Sequence, residues 1–166
     1  MRKVIMIAGL VLAVGVLAPV GALAKAGGTD RPIKDNSSGT SVVDLATAPF
    51  GFVSDVTGVG SHLGRTATHF DGAITFTSSD TITIAGSFVI IAANGDQLSG
   101  TFRGSGVDDH SGLVEGTSVY TFTGGTGRFE NASGSVPGTF RQELTSTGGG
   151  AATFAAHYTL KGAISY

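Results

Sequence analysis

Cysteine is absent from this chain of 166 residues. No disulfide can staple the fold and no cysteine can carry a lipid anchor, so core packing alone must hold it together. Leucine, lysine and glutamate are scarce, which is a poor composition for helices. Charged residues make up only 13% of the chain, and no run of Arg or Lys forms a basic patch, which argues against a nucleic-acid partner. Several catalytic patterns are missing as well. There is no Gly-x-Ser-x-Gly elbow of a serine hydrolase. The glycine-rich Gly124-Gly125-Thr126-Gly127 lacks the Lys-Ser/Thr that completes a phosphate loop. The four histidines, His62, His69, His110 and His157, include no pair four residues apart of the zinc-protease kind. No metal and no cofactor is expected.

What is abundant is glycine, with 27 residues, set among many Ser and Thr. That composition suits strands joined by tight turns. The chain opens with Met1-Arg2-Lys3, an apolar run from Val4 to Val20, and the small residues Ala22, Ala24 and Ala26. This is the pattern of a cleaved signal peptide over 1–26. An uncleaved anchor is the alternative, since the run approaches the ~20 residues of a membrane span. Export without cysteine suits a bacterial envelope, periplasmic or secreted protein. Cleavage after Ala26 would leave 140 residues, one domain's worth, with seven basic against twelve acidic side chains. Residues 27–40 are polar and Gly-rich and read as a flexible leader, and 41–166 as the single folded domain.

From Ser41 onward, apolar residues recur at every second position. The expected strands are 41–46, 50–59, 62–76, 81–92, 96–103, 113–123, 136–145 and 151–166. Gly72 inside the third suggests a bulge or bend. Asn94-Gly95 between the fourth and fifth is a strong hairpin signal. Residues 104–112 read as a polar loop containing Asp108-Asp109-His110, which could hold a cation or simply be solvated. Eight consecutive antiparallel strands with one apolar face predict an all-β, closed, eight-stranded barrel, with a sandwich as the other fit. An outer-membrane barrel is a third possibility, which the Thr-rich second face and the lack of aromatic girdles disfavour.

The most distinctive stretch runs from Gly124 to Gly134. Gly124, Gly125 and Gly127 allow a sharp elbow. Thr126 is placed to cap one helical turn over Arg128-Phe129-Glu130, and Gly134 to end it. Phe129, its one large apolar side chain, should plug the core.

Four blocks carry a family likeness: Gly60-Ser61-His62-Leu63-Gly64-Arg65-Thr66, Ala92-Ala93-Asn94-Gly95-Asp96-Gln97-Leu98, Tyr120 through Phe129, and Ala132-Ser133-Gly134. Together they resemble bacterial exported proteins with an allene oxide cyclase-like (calycin-type) barrel, and the last two are similar to plant dirigent proteins. The resemblance spans about 50–166. It implies an eight-stranded barrel with an apolar cavity, often trimeric in the plant relatives, which steer cyclisation or coupling of a bound intermediate without a cofactor. No catalytic residue of those relatives can be placed on this chain.

Period two puts Tyr120 in step with Phe122, Gln142 with Phe140 and Leu144, and Tyr158 with Phe154 and Leu160. With Phe102, these form a candidate lining: apolar walls and three polar handles. Tyr120, Tyr158 and Gln142 either meet a small apolar or oxygenated ligand, a Tyr then serving as proton or hydrogen-bond donor, or they satisfy one another. Arg103, Arg141 and Glu143 fall on the outer face. His62, Arg65, His69 and Asp71 lie at a barrel mouth or at an exposed strand end. Two functions follow. One is a ligand-binding barrel able to cyclise or isomerise its ligand by holding one conformer. The other is a non-catalytic module with a filled core, acting through its surface or as an oligomer. The first predicts that Tyr120 and Tyr158 converge on an open cavity of a few hundred Å3.

Overall fold

In a computed structural model that describes residues 29–166, eight antiparallel strands close into a barrel. They are β1 (Asp30–Asp44), β2 (Phe50–Gly60), β3 (Gly64–Phe76), β4 (Thr81–Ile91), β5 (Gln97–Asp108), β6 (Leu113–Gly125), β7 (Gly134–Gly148) and β8 (Ala151–Ser165). The expected signal peptide over 1–26 lies outside the described residues. Each strand pairs with its sequence neighbours, and β1 closes on β8 from Asp30↔Ser165 to Asp44↔Ala151. Closure leaves no edge open to pairing with another chain.

Two sequence expectations fail on strand extent. The leader expected over 27–40 is, from Asp30, the first half of β1. Its inward residues include Asp35 and Ser37, both buried, so the apolar alternation that reveals a strand is missing. Backbone pairing with β2 and β8 holds it instead. The loop expected over 104–112 is β5 as far as Asp108. There Gly104 and Gly106 face inward without side chains, which hides the alternation.

Glycines recur on the inner wall because aromatic rings occupy the space above them. A Cβ at Gly72 would lie 2.8 Å from Phe102 Cζ, and one at Gly86 would meet the same atom at 2.8 Å. Gly106 and Gly116 make room for Phe140 in the same way, and Gly138 for Tyr120. Gly72 therefore marks a ring seat, not the expected bulge. The register slips instead at Ser99/Gly100 and Leu144/Ser146.

The two ends of the barrel differ. At the base lie the start of β1, the 61–63 and 92–96 turns and the elbow. Phe129 is fully buried within the one-turn 3-10 helix Gly127–Phe129 and meets Tyr166 edge-on at 4.8 Å. It is the plug the sequence predicts. Thr126 does not cap that turn with its side chain. Its Oγ1 accepts from Gln97 N at 2.9 Å, joining the elbow to β5. Arg128 donates to His62 O at 2.7 Å and lies 3.6 Å from the Asp96 carboxylate, so the elbow grips two turns. The Asn94-Gly95 hairpin forms with Gly95 at φ 87°, and Asn94 Nδ2 donates to Asp96 at 2.7 Å. Gly124 and Gly127 take positive φ (144° and 57°), as an elbow needs, whereas Gly125 stays in the ladder opposite Leu98.

The outer wall carries charged and polar groups through its middle, where Asp55, His69, Arg103 and Arg141 are exposed among apolar residues such as Val53 and Val119. That is the reverse of a lipid-facing barrel. His69 pairs with Asp55 at 2.7 Å on this outer wall, and Arg65 and Asp71 are exposed too. His62, at φ 61°, turns the chain at the base. This group therefore does not line the mouth.

Candidate functional site

The centre of the barrel is filled. Phe70 stacks on Tyr158 at 4.6 Å, Phe88 meets Phe122 edge-on at 5.2 Å, and Phe102 meets Phe70 edge-on at 5.7 Å. Such offset and edge-on pairs are the favoured aromatic geometries. Tyr120 packs into the same cluster, 5.6 Å from Phe88. Among Tyr120, Tyr158, Asp35, Ser37 and Thr68 there is a void of only about 10 Å3, the scale of a single water. The expectation that Tyr120 and Tyr158 converge on an open cavity is therefore wrong. Glycines on neighbouring strands let the rings reach the barrel axis and fill it.

The space lies higher, at the mouth opposite the elbow, in a cavity of about 230 Å3. β1 and β2 supply Val43, Phe50 and Phe52, β3 and β4 supply Ile74 and Ile84, and Val114, Phe140 and Phe154 complete an apolar lining. Three sequence candidates, Gln142, Phe140 and Phe154, line it. Tyr158 lies directly beneath. Tyr120, Phe102 and Phe122 belong to the packed centre and do not reach it. The remaining lining residues were visible only as apolar positions in strands, and nothing in their spacing separates a cavity wall from a packed core.

Two polar groups meet this cavity. Gln142 is only 7% exposed, and its Nε2 donates to the Tyr158 hydroxyl at 2.8 Å. That hydroxyl also shares a hydrogen bond with Ser54 Oγ at 2.9 Å. Burial pushes the Tyr158 phenol above its ordinary range, and Tyr120 more strongly, so both stay neutral. The amide oxygen of Gln142 is not used in this network. The second group is Asp108, at the rim, where β5 ends. One of its oxygens accepts from His110 N at 2.9 Å. Asp108, Val114 and Gln142 stand in one cross-strand row, Asp108↔Val114 and Val114↔Gln142.

Asp109 points into its own loop. Its carboxylate accepts from Ser111 and from Leu113 N, which pulls its pKa below the usual value. These bonds shape the turn, with His110 at φ 59°. On the outer wall a broad depression spans β3 to β8, bordered by Ala85, Arg103, Val119, Pro137 and Lys161. It is open along its length and holds no convergent polar groups.

No known protein family, curated protein or solved structure matches this chain. What is shown is the closed eight-stranded barrel itself.

Proposed function

We propose that this protein is an exported binding module whose mouth cavity takes one small, largely apolar ligand. The observation carrying this is the contrast within one barrel. The centre is packed to a one-water void, whereas about 230 Å3 stays clear at the mouth behind apolar walls with two polar groups. Ligand pockets have that character: mostly apolar, with a few placed polar groups, and typically of a few hundred Å3. The reading is binding rather than turnover. The tyrosines that would donate a proton are sealed beneath Gln142, and the cavity's own polar atoms are an amide and one carboxylate. The amino-terminal pattern supports the export part of this proposal, and the motif blocks support a proposed kinship with allene oxide cyclase-like barrels.

Native mass spectrometry on protein isolated from its own host tests this directly. A retained small molecule is expected, and Val114→Phe, which fills the cavity from its wall, should abolish retention while the barrel still unfolds cooperatively. A clean protein mass, together with no uptake of small apolar probes at millimolar concentration, would instead identify a filled module that acts through its surface. A bound molecule returned chemically altered would show turnover.

A further inference from the structure

The cavity has a charge sign as well as an apolar lining. Among the described residues, the loops and strand ends around the mouth carry Asp44, Asp80, Asp108 and Asp109 together with His110, and no Lys or Arg. Arg141 on the adjacent outer wall is held by Glu115 and Glu143, both at 2.6 Å. Of the described cations without a carboxylate partner, Arg31, Lys34, Arg65 and Lys161 lie towards the far end and Arg103 sits on the middle of the outer wall. Field lines from the mouth carboxylates converge on a low-dielectric opening, which strengthens their pull on a cation.

Within that opening, Asp108 is the charged residue among the lining side chains. His110 N engages only Oδ1, so Oδ2 has no donor from the loop. Deeper in the same row, Gln142 is more than nine-tenths buried and lines the cavity, and its bond to Tyr158 engages the amide nitrogen and not the oxygen. The two flank Val114, two strand spacings or roughly 10 Å apart at the backbone. An amide and a carboxylate, with an apolar surface between them, suit a ligand that brings a positive charge on an apolar body with a polar group along it. A carboxylate ligand would meet repulsion from Asp108 at the rim.

We infer that the ligand of this cavity is an apolar amine, its ammonium group held at Asp108 in the rim and its body lying across Val114 towards Gln142. The inference rests on the cavity-binding reading above. It also excludes fatty-acid-like anions, which share the apolar body and lack the head group.

Three probes with one naphthalene body separate the possibilities: 1-naphthylmethylamine, 1-naphthalenemethanol and 1-naphthoic acid, titrated calorimetrically into the protein near neutral pH. The amine should bind roughly tenfold more tightly than the alcohol, about what one ion pair at a half-exposed site supplies, and the acid should not bind. Raising the salt concentration should narrow the gap. Asp108→Asn keeps an oxygen for His110 N and should bring the ratio of amine to alcohol affinity close to one. An alcohol that binds as tightly as the amine, or an amine preference that survives Asp108→Asn, would overturn the inference and leave the cavity reading standing. If none of the three binds at millimolar concentration, the cavity reading fails as well.

Discussion

Gln142 donates to the Tyr158 hydroxyl at 2.8 Å, and that contact is the boundary between the packed centre and the open mouth. Below it the phenol ring stacks on Phe70, and above it the amide faces the cavity. Tyr158→Phe would leave Gln142 Nε2 and Ser54 Oγ without their partner. It should cost ~1–3 kcal/mol of stability. Because the hydroxyl does not reach the cavity, ligand affinity should change less than twofold. Denaturant titration and calorimetry on the same sample check both halves. The double variant Gln142→Leu with Tyr158→Phe should be less destabilised than the two single changes added together, since it removes both ends of one buried bond.

Gly86 is a seat for Phe102. A side chain there would meet the ring at 2.8 Å and overlap the Asp71 carbonyl of the next strand. Gly86→Ala should therefore destabilise by ~1–3 kcal/mol, the usual cost of overpacking. Trimming the ring with Phe102→Leu should recover only part of that loss, because the carbonyl remains. Full recovery in urea melts would show that the strand backbone has more slack than its pairing indicates.

Asp35 is buried at the base, where Thr66 Oγ1 donates to it at 2.8 Å. Burial raises its carboxyl above the ordinary value of 3.8, against the lowering effect of its hydroxyl donors. The folded protein therefore holds this proton more tightly than the unfolded chain does. The favourable contribution is complete below about pH 4 and is lost as pH rises through the folded-state value. Asp35→Asn stays neutral and can still accept from Thr66, so it should gain stability over the parent as pH rises from about 4 towards 7. Urea midpoints measured across that range decide it. A parent that outgains the Asn variant on ionisation would mean that the hydroxyl donors outweigh burial.

Phe129 is the plug of the base, and Arg128 lies 4.6 Å over its ring while reaching His62 O. Phe129→Ala should cost ~3–5 kcal/mol, as for other fully buried aromatic truncations. Arg128→Ala leaves the plug in place and removes exposed contacts, so ~0.5–1.5 kcal/mol is expected. Thermal unfolding should rank the two in that order. Equal losses would make the arginine, rather than the ring, the anchor of the elbow.

Much of the barrel was legible in local patterns. Period-two alternation placed most strands, Asn94-Gly95 placed one hairpin, and the glycines flanking Arg128-Phe129 placed the elbow and its buried ring. These signals are local because each depends on a residue's own backbone preference or on which face of its own strand it occupies. The first part of β1 escaped because its inward residues Asp35 and Ser37 are polar, and what makes it a strand is pairing with β8, more than a hundred residues away. The end of β5 escaped because inward glycines leave no side chain to count.

Local pattern was enough to set consecutive strands in antiparallel order and to turn Tyr120, Tyr158, Gln142, Phe102, Phe122 and Phe140 towards one interior. Alternation reports facing direction, and facing direction needs no partner. Only the tertiary structure decided which of these residues meet open space. Depth along the barrel axis depends on register between strands, and on glycines such as Gly72 and Gly86 that let a distant Phe102 reach the centre. The same register that buries Tyr120 and Tyr158 leaves Gln142, Phe140 and Phe154 at the mouth, in line with an Asp108 that the sequence alone had placed in a loop.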